Sequence, residues 1–257
     1  MRLCGCAGTM LAVVVLATAC SGDKRGGTAA ADSAKTVMAD AIGDSGAAGV
    51  RDKAAVLFLG TSLTAGLGLE PDSAYPQLLQ RKIDARALPY QTINAGVSGE
   101  TSAGLLRRLD WVLQHPAAVI VVETGANDGL RGQPVEATKA TIGEILTRIR
   151  RDRPEAKIVL AQMEAPTNLG PVYTPAFHAM FPELAREHGA VLMPFLLDGV
   201  AGRQALNQPD GIHPNPEGER MVAENVWRTL EPLLGGQVTG DRGQGTADRR
   251  GMAVPVP

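Results

Sequence analysis

The sequence predicts an α/β fold, a three-layer sandwich with a five-stranded parallel sheet between two helical layers. Three observations lead there. Five strand-length apolar runs fall between residues 54 and 195, longer helical patterns separate them, and the runs are apolar throughout instead of alternating with polar residues. A strand that is apolar on both sides must be covered on both faces, as in a parallel sheet flanked by helices. Strands alternating with helices specify βα units with right-handed crossovers.

The first run, AAVLFL (54–59), breaks into GTSLTAG and so ends in a turn. A helix is expected over 73–87, where Leu78, Leu79 and Ile83 recur at helical spacing. YQTIN (90–94) is the second strand, followed by NAGVSGET and a helix over 101–114. AAVIVVET (117–124) is the third, followed by TGANDGLRG. The helix expected over 134–151 carries Ile142, Ile145, Leu146 and Ile149 along one face. It ends in RRDR (150–153), cations that suit the negative end of a helix dipole. KIVLAQ (157–162) and AVLMPF (190–195) are strands four and five, separated by a helix over 175–188. A last helix is expected over 216–234, after the loop PDGIHPN.

The two ends of the chain are a different kind of sequence. Arg2, the apolar run MLAVVVLATA (10–19) and Cys20 read as a signal peptide over 1–20. The run is about half the ~20 residues that a bilayer span needs. Its ending, ATAC, resembles a bacterial lipobox, which makes Cys20 the expected lipidation site of an exported lipoprotein held at the periplasmic face or outer membrane. All three cysteines, Cys4, Cys6 and Cys20, lie in this leader, so the folded part is expected to hold neither disulfide nor thiol ligand. Residues 21–50 and 236–257 are polar and rich in Gly, Ala, Ser or Pro, a flexible tether and a disordered tail around one domain over 51–235. A formal charge of −2 gives no electrostatic footprint for nucleic acid. No nucleic-acid partner is expected, and a membrane is expected to be reached only through the lipid anchor.

In folds of this type ligands bind beyond the carboxyl ends of the strands. Ser62 follows strand one; Asn94, Gly96 and Ser98 follow strand two; Asn127 and Asp128 follow strand three; Asp210 and His213 precede the last helix. Together these supply what acyl transfer needs: a nucleophile, a base to take its proton, an acid to orient the base, and donors for the oxyanion. The three-residue step from Asp210 to His213 suits a turn in which the carboxylate reaches back to Nδ1 and leaves Nε2 for a serine. No Cys or second His stands near enough in sequence to complete a metal site, and neither a metal nor a cofactor is expected.

Taken singly, each residue has a plainer reading. A serine among glycines is commonly a turn residue, Asn127 and Asp128 suit a helix cap, and Asp210–Gly211 is a turn signal. Joint placement on one sheet edge favours chemistry. His115, His178 and His188 lie on or beside helices without a partnered acid and loop. GDSG (43–46) imitates a nucleophile motif, but Ser45 sits in the tether with no strand before it. The GxSxG elbow is absent at Ser62, which LTAG follows.

At these residues the chain resembles the GDSL, or SGNH, hydrolase family, and within it the bacterial thioesterase, lysophospholipase and arylesterase branch. The family's four blocks fall on Ser62, Gly96, Asn127 and His213, with its DxxH pair at Asp210 and His213; NAGVSGET, GANDGLRG and DGIHPN carry the likeness. The resemblance implies a flavodoxin-like sheet and an exported serine esterase with an acyl-enzyme on Ser62, taking a small acyl-ester or lysophospholipid as its substrate partner. It implies an oxyanion hole from the Ser62 and Gly96 N–H groups and the Asn127 amide. Thr61 departs from the pattern, which usually has Asp before the serine. In the related branch the region of 164–181 borders an acyl groove, so Tyr173 and Phe177 are expected in a substrate pocket, with Met180 and Phe181 nearby. A carbohydrate O-acetylesterase and a non-catalytic envelope binding protein are the alternative readings.

Overall fold

The apolar run at 54–59 forms β1 (Ala54–Gly60) in a computed structural model that describes residues 53–235. The expected signal peptide (1–20) with Cys20, the tether (21–50) with Ser45, and the tail (236–257) lie outside the described residues. β1 pairs on one side with β2 (Tyr90–Gly96) and on the other with β3 (Val119–Val122), followed outward by β4 (Lys157–Ala161) and β5 (Val191–Met193). All four pairings are parallel, in the order β2-β1-β3-β4-β5, as an open doubly wound sheet requires. Every residue of β3 is buried, which explains its unbroken Val and Ile run. β3 is shorter than the expected 117–124, although Ala118 and Glu123 still donate to Ala55 O and Leu59 O at its two ends. β5 stops at Met193 because Pro194 has no N–H to give the ladder.

Among the described residues seven α-helices accompany the strands: α1 (Ser62–Ala65), α2 (Tyr75–Ala85), α3 (Ser102–Val112), α4 (Ala126–Leu130), α5 (Val135–Asp152), α6 (Gly170–His188) and, after β5, α7 (Pro216–Gly235). α2 packs with α7 in one layer, while α5 packs against both α3 and α6 in the other. Ile142, Ile145, Leu146 and Ile149 form the buried stripe of α5, and Leu79 and Ile83 that of α2. α1 and α4, which periodicity does not reveal, are single turns directly after β1 and β3.

α6 begins at Gly170 and not at the expected 175, with Pro171 in its first turn and both Pro175 and Pro182 inside it. A proline in a helix leaves the carbonyl four residues earlier without its donor. For Pro182 that carbonyl is His178 O, which accepts instead from Gln162 Nε2 at 3.2 Å. The chain leaves β1 toward β2, then crosses back past β1 to β3, so the crevice between the ends of β1 and β3 is the switch point where such folds bind ligands.

Candidate active site

Gly60 ends β1, and Thr61 caps α1 by accepting from Leu63 N–H, which makes Ser62 the first residue of a helical turn. At the far end of the turn Gly66 adopts φ 71°, a left-handed backbone open to glycine without penalty. Ser62 is only 8% exposed, yet its Oγ lies 2.8 Å from His213 Nε2.

His213 is held by its loop. Gln208 N–H donates to His213 O at 2.7 Å, and the Gln208 amide donates to Leu67 O (2.7 Å) and Pro214 O (3.0 Å), pinning the loop to the exit of α1. Asn215 then caps α7 through Glu217 N–H and Gly218 N–H, both at 3.0 Å. Asp210 Oδ2 lies 2.7 Å from His213 Nδ1, while Oδ1 accepts from Ile212 N–H (2.9 Å) and His213 N–H (3.0 Å). The Ile212 N–H foremost, then the ring and the N–H of His213, hold the Asp210 pKa down at about 2. Asp210 is therefore a carboxylate at neutral pH and keeps the ring turned with Nε2 toward Ser62.

The β2 and β3 loops are tied to each other beside the serine. Asp128 accepts from Ser102 N–H (2.8 Å) and Ser102 Oγ (2.6 Å), so it caps α3 and not its own helix. Arg108 clasps Glu100 and donates to Ala95 O at 2.8 Å. Asn127 Nδ2 donates to Glu100 O at 3.0 Å, which uses one of its two amide hydrogens.

The expected role of Gly96 is corrected by its surroundings. Its N–H donates to Asn94 Oδ1 at 3.0 Å and is not offered to a ligand. A Cβ there would stand 2.4 Å from Ala65 N, so glycine is required at 96 by the close approach of α1. Among the described residues the N–H groups of Ser62 and Gly99 meet no acceptor, and Gly99 lies on the segment that Asn127 touches. Sequence spacing offers two glycines three residues apart and cannot tell which N–H a side chain has already taken. Ser98 is exposed and Asn94 donates to Thr64 O at 2.8 Å, a bond that steadies α1.

The substrate-pocket expectation is corrected at Phe177. Phe177 is fully buried with Met180 and Phe181, on the face of α6 turned to the core, and presents no surface to a ligand. Tyr173 is half-buried, stacks on Phe177 with centroids 6.0 Å apart, and donates its hydroxyl to Gln133 O at 2.6 Å. His178 has a partner that the sequence did not show: its Nδ1 lies 2.7 Å from Glu164 Oε1, with Gln162 Nε2 at 3.3 Å. Among the described residues no serine joins that pair.

The residue that sequence reasoning missed is Glu123, which follows β3. It is completely buried and meets Thr61 and Thr64 on either side of Ser62. Its signal was an acidic residue closing an otherwise apolar strand run.

Comparison with known proteins identifies the family. A profile of the GDSL-like Lipase/Acylhydrolase family matches residues 58–221. The chain is 38% identical over 180 residues to esterase TesA of Pseudomonas aeruginosa, covering 70% of this chain and 89% of that protein. It is 37% identical over 180 residues to thioesterase 1/protease 1/lysophospholipase L1 of Escherichia coli, covering 70% and 84%. The crystal structure of the psychrotrophic esterase EstA from Pseudoalteromonas sp., inhibited by monoethylphosphonate, superposes with a TM-score of 0.67 at 34% identity, covering 71% of this chain and 99% of that one.

Proposed function

This chain belongs to the GDSL-like lipase/acylhydrolase family, and from that premise we propose that it hydrolyses carboxylic esters through an acyl-enzyme on Ser62. The observation that carries the reading is the line Asp210–His213–Ser62, with contacts of 2.7 and 2.8 Å. His213 Nε2 takes the Ser62 proton as Oγ bonds to the acyl carbon, and the carbonyl oxygen becomes an oxyanion. The N–H groups of Ser62 and Gly99 and the free amide hydrogen of Asn127 are the donors for that charge. As the intermediate collapses, His213 returns the proton to the departing alkoxide or thiolate. Water, deprotonated by His213, then attacks the acyl carbon, and Ser62 leaves with that proton.

Apolar substrates are supported by exposed residues on the segments that follow the strand ends. Leu67, Val97, Leu130, Val172 and Ile212 are exposed large hydrophobic residues, one on each of the five segments that follow the strand ends. Apolar groups on those segments suit a fatty acyl or aryl group better than an acetylated sugar, so esters, lysophospholipids and thioesters with an apolar acyl chain are the proposed class.

The test is turnover of p-nitrophenyl butyrate and longer esters by the wild-type chain and by Ser62→Ala. The variant should fold with an unchanged far-UV spectrum and lose at least about 10³ in kcat, since the residual rate of such variants comes from donors and binding alone. Turnover retained within tenfold removes Ser62 from the mechanism.

A further inference from the structure

Glu123 draws three donors onto a carboxyl group with no exposed surface. Its Oε2 accepts from Thr61 N–H at 2.7 Å and from Thr64 Oγ1 at 2.9 Å, and Thr61 Oγ1 lies 3.0 Å from both carboxyl oxygens. Thr64 Oγ1 continues to Tyr75 OH at 2.7 Å, reaching the first residue of α2. The neighbouring backbone is shaped for the group: a Cβ on Gly60 would lie 2.7 Å from Glu123 Oε2 and 2.0 Å from Thr64 Oγ1.

Among the described residues no cation pairs with Glu123, and burial raises its pKa to about 7. An apolar side chain of similar size at this fully buried position would carry no such desolvation cost. What the carboxyl does that an apolar group cannot is hold two particular residues. Thr61 and Thr64 bracket Ser62, and Glu123 stands four residues before Asn127 on the loop after β3. One side chain therefore ties the turn that presents the serine to the loop that presents an oxyanion donor.

We propose that Glu123 is a positioning residue for acyl transfer, setting Ser62 between His213 and the Asn127 amide by its grip on Thr61 and Thr64. The proposal rests on Ser62 being the nucleophile. It also gives a role to Thr61, which stands where the resembling family usually has Asp: its hydroxyl is a donor to Glu123. Positioning acts on the attack distance and not on ground-state binding of the substrate, so it appears in kcat and not in KM.

The experiment compares Glu123→Gln with wild type in kcat, KM and the rate of labelling by a fluorophosphonate probe, well below the unfolding temperature. A misplaced nucleophile costs about 10- to 100-fold. Glu123→Gln should lose that much in kcat and in labelling rate, with KM within about threefold. Thr61→Val should lose less in the same pattern, and Thr61→Ser should regain most of it. If Glu123→Gln does not fold, the Thr61 pair alone decides. A variant that folds and keeps wild-type kcat and labelling rate overturns the proposal and leaves Glu123 a packing residue. Absence of label at Ser62 in the wild type is the separate outcome that overturns the nucleophile assignment.

Discussion

Asn127 offers two amide hydrogens, and the resting structure commits only one of them, to Glu100 O. The other is free for an oxyanion, and removal of one such donor lowers kcat by about 10² to 10³. Asn127→Ala should show that loss with KM little changed and the fold intact, because the side chain is only half-buried. Steady-state kinetics on p-nitrophenyl butyrate reads it, and an unchanged kcat contradicts the role. The spacing of the motif picked out Ser62, Asp210 and His213, and the structure brings them together through contacts of 2.7 and 2.8 Å. The same spacing misassigned Gly96, since the decisive fact there is tertiary: α1 passes 2.4 Å from where a Cβ would be, and Asn94 takes the N–H. Glu123 stayed hidden because its partners, Thr61 and Thr64, are about sixty residues away and read alone as turn residues.

At the scale of elements, the strands were legible because burial on both faces demands runs that are apolar throughout, and the long helices because one face must be apolar. The short pieces were not. α1 and α4 are four and five residues long, too short for periodicity, yet they carry Ser62 and Asn127. The start of α6 was misplaced by five residues because Pro175 reads as a helix start, whereas Pro171 fills that place and the break at Pro182 is satisfied from outside by Gln162. With the helix begun at 170, Phe177, Met180, Phe181 and Leu184 fall on its buried face. Phe177 thus belongs to the core, and Tyr173, one turn earlier, keeps an edge in solvent. The loop before α7 is positioned by contacts that no local pattern encodes, chiefly the Gln208 amide reaching Leu67 O.

For the whole molecule, two buried carboxyls dominate the pH dependence of stability. Burial raises Glu123 to about 7, and burial raises Glu219, which accepts from Tyr75 N–H at 2.8 Å, to about 8. Both folded values lie above the ordinary 4.5, so the native state keeps protons that the unfolded chain releases. Their stabilisation is complete below about pH 4.5, declines as pH rises, and is gone above about 8. Asp210 acts the other way, only as pH falls through about 2, outside that window. Each tenfold difference in proton affinity between the folded and unfolded chain is worth about 1.4 kcal/mol, so urea unfolding should give a free energy lower at pH 8 than at pH 5 by roughly a few kcal/mol. Glu219→Gln should flatten the slope. A free energy that rises from pH 5 to 8 contradicts this view of the core. The central claim is that this sheet edge makes Ser62 a nucleophile, and the most direct measurement is peptide mapping by mass spectrometry after treatment with a fluorophosphonate. One adduct per chain is expected, on Ser62 and lost in His213→Ala; an unmodified Ser62, or an adduct that forms as fast without His213, would contradict the claim.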